Sequence, residues 1–407
     1  MDLYSGLPYW IAKNPLHDYF HPLTEDIQTE VAIIGAGITG TLVAHELCKA
    51  GIECSVFDKR TLTTGSTIAS TALLQYEIDT PLCKLSEMIG EGAAVKAYHS
   101  CLQSINDLEH VFMELQIHPD FMRVPSIWYA SDRRGLTLVR EELEIRNRFD
   151  LPVIYFSKKE LEDKYGLRAP GALVNYSSAQ VDPYKAATSI LGHYMEKEEL
   201  AVYTHTEINN WKETTEGYML TTVNGNTIRC RYVVVAAGFE AGRFLPKKLM
   251  KLTSTYAILS EPVDKHFLWP GHSLIWETRE PYLYVRTNNQ NRIIVGGEDE
   301  EFRDSVKRDQ LIRKKVAILE KKIKKLFPDI PFRTDMAWCG TFSSTEDGLP
   351  LIGAWPGKER MLYALGYGGN GITFSMTAAQ LIRHKIQGIK DERESVFGFE
   401  RLNKKYE

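Results

Sequence analysis

The chain has 407 residues, a quarter of them charged, with a formal net charge of -4. This length supports two or three domains, and the acidic balance argues against a general nucleic-acid binder. Six scattered cysteines form no C-x-x-C pair, which argues against a zinc site and a disulfide framework.

Residues 1–29 hold Pro8, Pro15 and Pro22 among Tyr9, Trp10, Tyr19 and Phe20. The aromatics predict an extended arm packed on the body rather than a disordered tail. No basic region followed by an apolar core marks the N-terminus, and no apolar run is long enough for a bilayer. The expectation is a cytoplasmic protein without a transmembrane segment.

Val31-Ala32-Ile33-Ile34 reads as a buried strand, and it stops at Gly35-Ala36-Gly37-Ile38-Thr39-Gly40. A helix follows, with Ile38, Leu42, Val43 and Leu47 on one side and Gly51 as its stop. A second strand, Cys54 to Phe57, ends at Asp58. Strand, glycine turn, helix, strand and acid stand in the order a dinucleotide requires. Gly35 permits the tight turn, Gly37 admits a pyrophosphate, and Gly40 lets the helix lie on the strand. Thr63 to Thr71 then crowds small hydroxyl residues into a loop against which a cofactor can lie.

Glu91 to Leu115 carries an apolar stripe and predicts one long helix. Arg123 to Ala130 predicts a strand, and Arg133 to Phe149 a charged helix. Val181-Asp182-Pro183 opens a helix over Tyr184 to Lys197, with proline in the first turn. Val202 to Ile208 predicts a strand. Asn224-Gly225 signals a hairpin. Tyr232 to Gly238 reads as a buried parallel strand ending in small residues, since a strand end at a cofactor leaves no room for side chains. Thr253 to Leu259, Leu274 to Glu277, Tyr282 to Thr287 and Arg292 to Gly297 predict antiparallel strands. Phe302 to Phe327 is a helix with a basic, solvated outer face. A last glycine turn, Gly366 to Gly371, opens a helix over Ile372 to Ile386, a second N-terminus suited to anions or carbonyl oxygens.

Taken together, these pieces resemble the D-amino-acid oxidase-like flavoprotein superfamily, which includes glycine oxidase and sarcosine oxidase. The matching stretches are Val31 to Asp58, Gly65 to Leu74, Val181 to Pro183, Val233 to Gly238, Trp338 to Gly340 with Asp347 to Gly353, and Gly366 to Ile372. Gly65-Ser66-Thr67, Ser70-Thr71-Ala72 and the helix after Gly90-Glu91 look most like a subgroup often fused to a Rieske domain, here without the Rieske motif. The resemblance implies a mixed α/β (α+β) fold: a Rossmann-like FAD-binding domain with a parallel sheet, over 1–84, 171–249 and 334–407, plus an antiparallel-sheet substrate domain over 85–170 and 250–333.

By the same resemblance, Gly35, Gly37, Ile38, Thr39 and Gly40 would cradle the FAD pyrophosphate. Asp58 would bind the adenosine ribose, with Lys59 and Arg60 close by. Thr67, Ala69, Ser70, Thr71 and Leu73 would run beside pyrophosphate and flavin. Ile208, Ala237 and Gly238 would pack on the nucleotide. Gly340, Gly369, Asn370, Gly371, Ile372 and Thr373 would meet the flavin. Some relatives attach flavin through a cysteine where this chain has Gly340. Cys339 is one residue off, which on a strand reverses side-chain direction, so FAD is expected to be non-covalent. Glycine oxidase-like members place a carboxylate-binding arginine where this chain has Phe342.

The implied reaction is oxidation of a CH–NH bond in a small amine or amino-acid derivative, with oxygen or a separate electron acceptor taking the electrons. Alternation puts Tyr282, Tyr284 and Arg286 on one strand face, and Arg286 is the candidate anchor for an anionic substrate group. Tyr284, Tyr256, Gln75 and Tyr76 complete the candidate catalytic set, and Trp276 stands as either pocket wall or core. Two rival readings are a flavin electron-transfer protein serving a separate redox partner, and a tRNA-modifying flavoprotein, against which the acidic charge weighs.

Overall fold

A computed structural model describes residues 4–16, 21–245, 248–302 and 304–405. Two sheets organise them. The first runs in the order Leu351–Trp355, Lys358–Leu365, Thr227–Val235, Ile27–Ile34, Cys54–Phe57, Ala201–Tyr203. Its four inner pairings are parallel, and Leu351–Trp355 adds an antiparallel edge. Val31, Ala32, Ile33, Val56 and Val233 to Val235 are fully buried, as parallel strands covered on both faces require. The Asn224-Gly225 hairpin forms: Tyr218–Thr222 pairs antiparallel with Thr227–Val235, and Gly225 has φ +93°.

The fingerprint helix, Ile38–Lys49, lies against this sheet with Leu42, Val43 and Leu47 wholly buried. Each such side chain contributes about 1.5–3 kcal/mol. Helices Pro183–Glu196 and Gly371–Gln387 flank it within the same core. The Asp182 side chain accepts from the Lys185 N–H, and Pro183 takes the first turn.

The second sheet runs Tyr4–Gly6, Thr334–Ser344, Lys251–Ser260, Ile293–Glu301, Tyr284–Thr287, Leu274–Glu277, Met122–Tyr129, Gly171–Gln180, Leu73–Leu74, with Ile154–Ser157 also paired to Gly171–Gln180. It is antiparallel, as expected for this part of the chain, except where Leu274–Glu277 runs parallel to Met122–Tyr129. Helix Ser305–Leu326 covers one face through Leu319, Ile323 and Leu326. Its basic side is not wholly solvated, because Lys315 is buried and pairs with Glu298 and Glu300.

Several expected boundaries shift. Gly171–Gln180 and Thr334–Ser344 fall in segments assigned to nucleotide binding, yet pair in the second sheet. Val202 to Ile208 divides into Ala201–Tyr203 and the start of Ile208–Glu213. The N-terminal arm is not simply extended. Tyr4–Gly6 adds a strand beside Thr334–Ser344, and Tyr9–Lys13 forms a short helix with Tyr9 and Trp10 buried. Tyr19 and Phe20 lie outside the described residues. Among the described residues no helix is long and apolar enough to cross a membrane.

Candidate active site

A continuous cavity lies between the two sheets. It starts at the C-terminal ends of the parallel strands, where Gly35 turns the chain with φ +115°. A Cβ on Gly40 would sit 1.8 Å from the Gly35 carbonyl oxygen, so only glycine lets this helix approach the strand. The Asp58 carboxylate accepts from the Ala36 and Arg60 N–H groups at 2.7 and 2.8 Å, which fixes the turn against the second strand. The Ile38 N–H donates to Thr67 Oγ1 at 3.0 Å, joining the helix N-terminus to the hydroxyl-rich loop.

Gly35, Gly37, Ile38, Thr39, Asp58, Lys59, Arg60, Thr67, Ala69, Ser70, Thr71, Leu73, Ile208, Ala237 and Gly238 all line the cavity. So do Gly340, Gly369, Asn370, Gly371 and Ile372 at its other end. Lys59 and Arg60 are engaged by Glu240 at 2.6 and 2.8 Å. Burial pushes the Glu240 carboxyl up, but the hydrogen bonds from Arg60 and Lys59 outweigh it and hold it at about 2. Arg243 lines the same end of the cavity and pairs with Glu207 at 2.8 Å.

At the far end, Gln75, Trp276, Tyr282, Tyr284, Thr255 and Phe342 form the wall. Gln75 Nε2 and Trp276 Nε1 both donate to Ser126 Oγ, at 3.0 and 3.2 Å, which orients both side chains. Trp276 stacks on Trp128 with ring centres 5.2 Å apart. Asn370 donates to the Gln75 and Glu77 carbonyls at 3.2 and 2.7 Å, pinning the last glycine turn to the strand exit.

Five expected site residues lie elsewhere. Arg286 is buried away from the cavity. Its guanidinium donates to the carbonyls of Thr71, Ala72 and Val181 at 2.9, 2.8 and 3.2 Å and faces the Trp10 ring. Burial lowers its pKa to about 10. It shares a strand face with Tyr284, but the hydroxyl-rich loop crosses that face before Arg286 is reached, so it clamps the loop instead of anchoring a substrate. Tyr256 points to the opposite face, in the core beneath helix Ser305–Leu326, and donates to the Arg308 carbonyl at 3.3 Å. Tyr76 is buried and donates to the Pro152 carbonyl at 2.8 Å. Gly40 serves helix packing, and Thr373 donates to the Asn370 carbonyl at 2.9 Å from within the last helix. Cys339 also faces the core, near Asp309, while Gly340 faces the cavity.

Sequence reading missed three acids at the far end: Glu77, Asp79 and Asp299. Gln75, Glu77 and Asp79 alternate with buried Tyr76 and Ile78, and that period-two pattern was the available signal. Asp79 accepts from the Gly369 N–H at 2.7 Å and the Tyr282 hydroxyl at 3.1 Å. Burial raises the carboxyl pKa of Glu77 and Asp79, and raises that of Asp299 to about 7.

The family model described as FAD dependent oxidoreductase (DAO) matches residues 30–384. A glycine oxidase of Bacillus licheniformis is 24% identical over 389 residues, covering 91% of this chain and 97% of that protein. A gamma-glutamylputrescine oxidoreductase of Escherichia coli is 22% identical over 396 residues, covering 93% and 88%. The crystal structure of glycine oxidase from Geobacillus kaustophilus superposes with a TM-score of 0.74 at 21% identity, covering 90% of this chain and 96% of that one.

Proposed function

The chain belongs to the FAD dependent oxidoreductase family, with FAD as its cofactor, and we propose that it oxidises the CH–NH bond of a small amine or amino-acid derivative. The residues present fit FAD. The Gly35 turn and the N-terminus of helix Ile38–Lys49 suit a pyrophosphate. Gly369 to Ile372 present a second helix N-terminus to the flavin end, where it favours negative charge. FAD held by these residues would supply a two-electron acceptor at this end of the cavity, reoxidised by oxygen or another acceptor.

The observation that carries this reading is the single cavity joining the fingerprint to an enclosed aromatic end. Trp276, Tyr282, Tyr284 and Phe342 line that end together with Gly340, and their rings would shield the reacting atoms from water and pack on an apolar substrate body. In the reaction the substrate carbon loses a hydride and its nitrogen a proton. The resulting imine adds water and splits into a carbonyl compound and an amine. The nitrogen must be neutral when the hydride leaves. No histidine or cysteine lines the cavity among the described residues, and the reaction requires neither.

Deuterium on the reacting carbon tests the step directly. Anaerobic bleaching of the bound flavin should slow several-fold with the deuterated amine. Equal rates with the two isotopologues, under conditions where bleaching is not limited by binding, would contradict hydride transfer as the limiting chemistry.

A further inference from the structure

We propose that the substrate is an amine bearing a second, non-reacting positive charge and no carboxylate on the reacting carbon, such as a diamine. This rests on the CH–NH oxidation proposed above and names its substrate class. Every cationic residue lining the cavity (Lys59, Arg60 and Arg243) stands at the nucleotide end and is paired with Glu240 or Glu207. Arg286 is engaged by three carbonyls, and Phe342 adds an apolar ring to the wall. Among the described residues, a substrate carboxylate at the far end would meet no guanidinium or ammonium.

It would meet acids instead. Glu77 is 4% exposed. Its Oε1 accepts from Arg146 and Asn175, while its Oε2 is buried without any hydrogen-bond partner. Asp299 Oδ1 is likewise buried and unpartnered. Neither Asp79 nor Asp299 has an ion-pair partner among the described residues; Asp79 is held only by the Gly369 N–H and the Tyr282 hydroxyl. Buried carboxylates without a counter-charge are costly, and a cationic ligand removes that cost. The rings of Trp276, Tyr282 and Tyr284 stand in the same wall and attract a cation through their faces.

The charge held here belongs to a second group. Carboxylates around the reacting nitrogen would stabilise its protonated form, which cannot release a hydride from the adjacent carbon. A cation elsewhere on the molecule gains the attraction without that penalty.

Three probes differ by one group each: 1,5-diaminopentane, lysine (a carboxylate added) and pentylamine (the second cation removed). Anaerobic reduction of the holoenzyme flavin by each gives a rate divided by an apparent dissociation constant. The expected result is that the diamine exceeds pentylamine, and lysine oxidised at its α-carbon, by at least about tenfold. In Asp299→Asn, judged folded by its retained flavin absorbance, the diamine-to-pentylamine ratio should fall toward one. Glycine, or lysine oxidised at its α-carbon as read from the keto-acid product, matching the diamine would overturn the substrate class while leaving CH–NH oxidation standing. Pentylamine matching the diamine would overturn the second-cation site. Reduction by none of these, nor by a wider amine and amino-acid panel, with dithionite still bleaching the flavin, would overturn the proposed reaction itself and this inference with it.

Discussion

Arg286 shows how one side chain can be read in two opposite ways. On the strand it shares a face with Tyr284, and an arginine on such a face suggests a carboxylate partner. Its three carbonyl acceptors give it a different role, which is to hold Thr71 and Ala72 in place beside the cavity. Arg286→Ala should therefore destabilise the protein by about 3 kcal/mol, because three buried carbonyls lose their donor. A thermal melt and flavin content measure this, and the ranking of substrates should not change. Gly40→Ala should cost about 2–4 kcal/mol and lower flavin content, since its Cβ would meet the Gly35 oxygen. The glycines were legible in the sequence because spacing alone dictates their use. Glu77, Asp79 and Asp299 were not, because acids are usually solvated and only packing between distant segments encloses these, as Arg146 and Asn175 do for Glu77 and as Tyr282 and the last glycine turn do for Asp79.

The fingerprint helix carries a buried titratable group. His45 lies wholly inside, with Nδ1 2.9 Å from the Tyr194 hydroxyl. Burial, helped by the nearby Lys49 charge, lowers its pKa to about 4 from an ordinary value near 6.5. The unfolded chain therefore binds a proton here that the folded chain refuses. Stability from this site is complete above about pH 6.5 and is lost as pH falls toward 4. Urea unfolding from pH 7 to 4.5 should show this loss, and His45→Gln should flatten that part of the curve. At this scale the long helices were legible: Glu91–Glu114, Arg133–Arg148 and Ser305–Leu326 lie within the expected spans of Glu91 to Leu115, Arg133 to Phe149 and Phe302 to Phe327. Strand Gly171–Gln180 was missed, because it is held near the edge of the second sheet by pairing with Met122–Tyr129 and Ile154–Ser157, each separate from it in sequence.

Across the whole molecule, two sheets meet along one cavity, and both ends of the chain contribute to it. Residues Val31 to Asp58 supply the nucleotide end. Strands Lys251–Ser260, Tyr284–Thr287 and Thr334–Ser344 supply the roof, and Gly366 to Gly371 the return. Parallel and antiparallel patterns distinguished these layers in the sequence, but the division into segments did not follow, since strands cross between them. Cys339 points into the core, so we expect the flavin to be held without a covalent bond. Acid precipitation should release yellow colour to the supernatant, and a yellow pellet would contradict this.

The enclosed end of the cavity is where we expect a CH–NH bond to be oxidised. The direct test is anaerobic titration of the holoenzyme with amines, followed by assay of the carbonyl product. We expect full loss of the oxidised flavin's absorbance with one carbonyl formed per flavin. Flavin that stays oxidised against the whole panel of amines and amino acids, yet bleaches with a protein reductant, would contradict amine oxidation and leave an electron-transfer protein in its place.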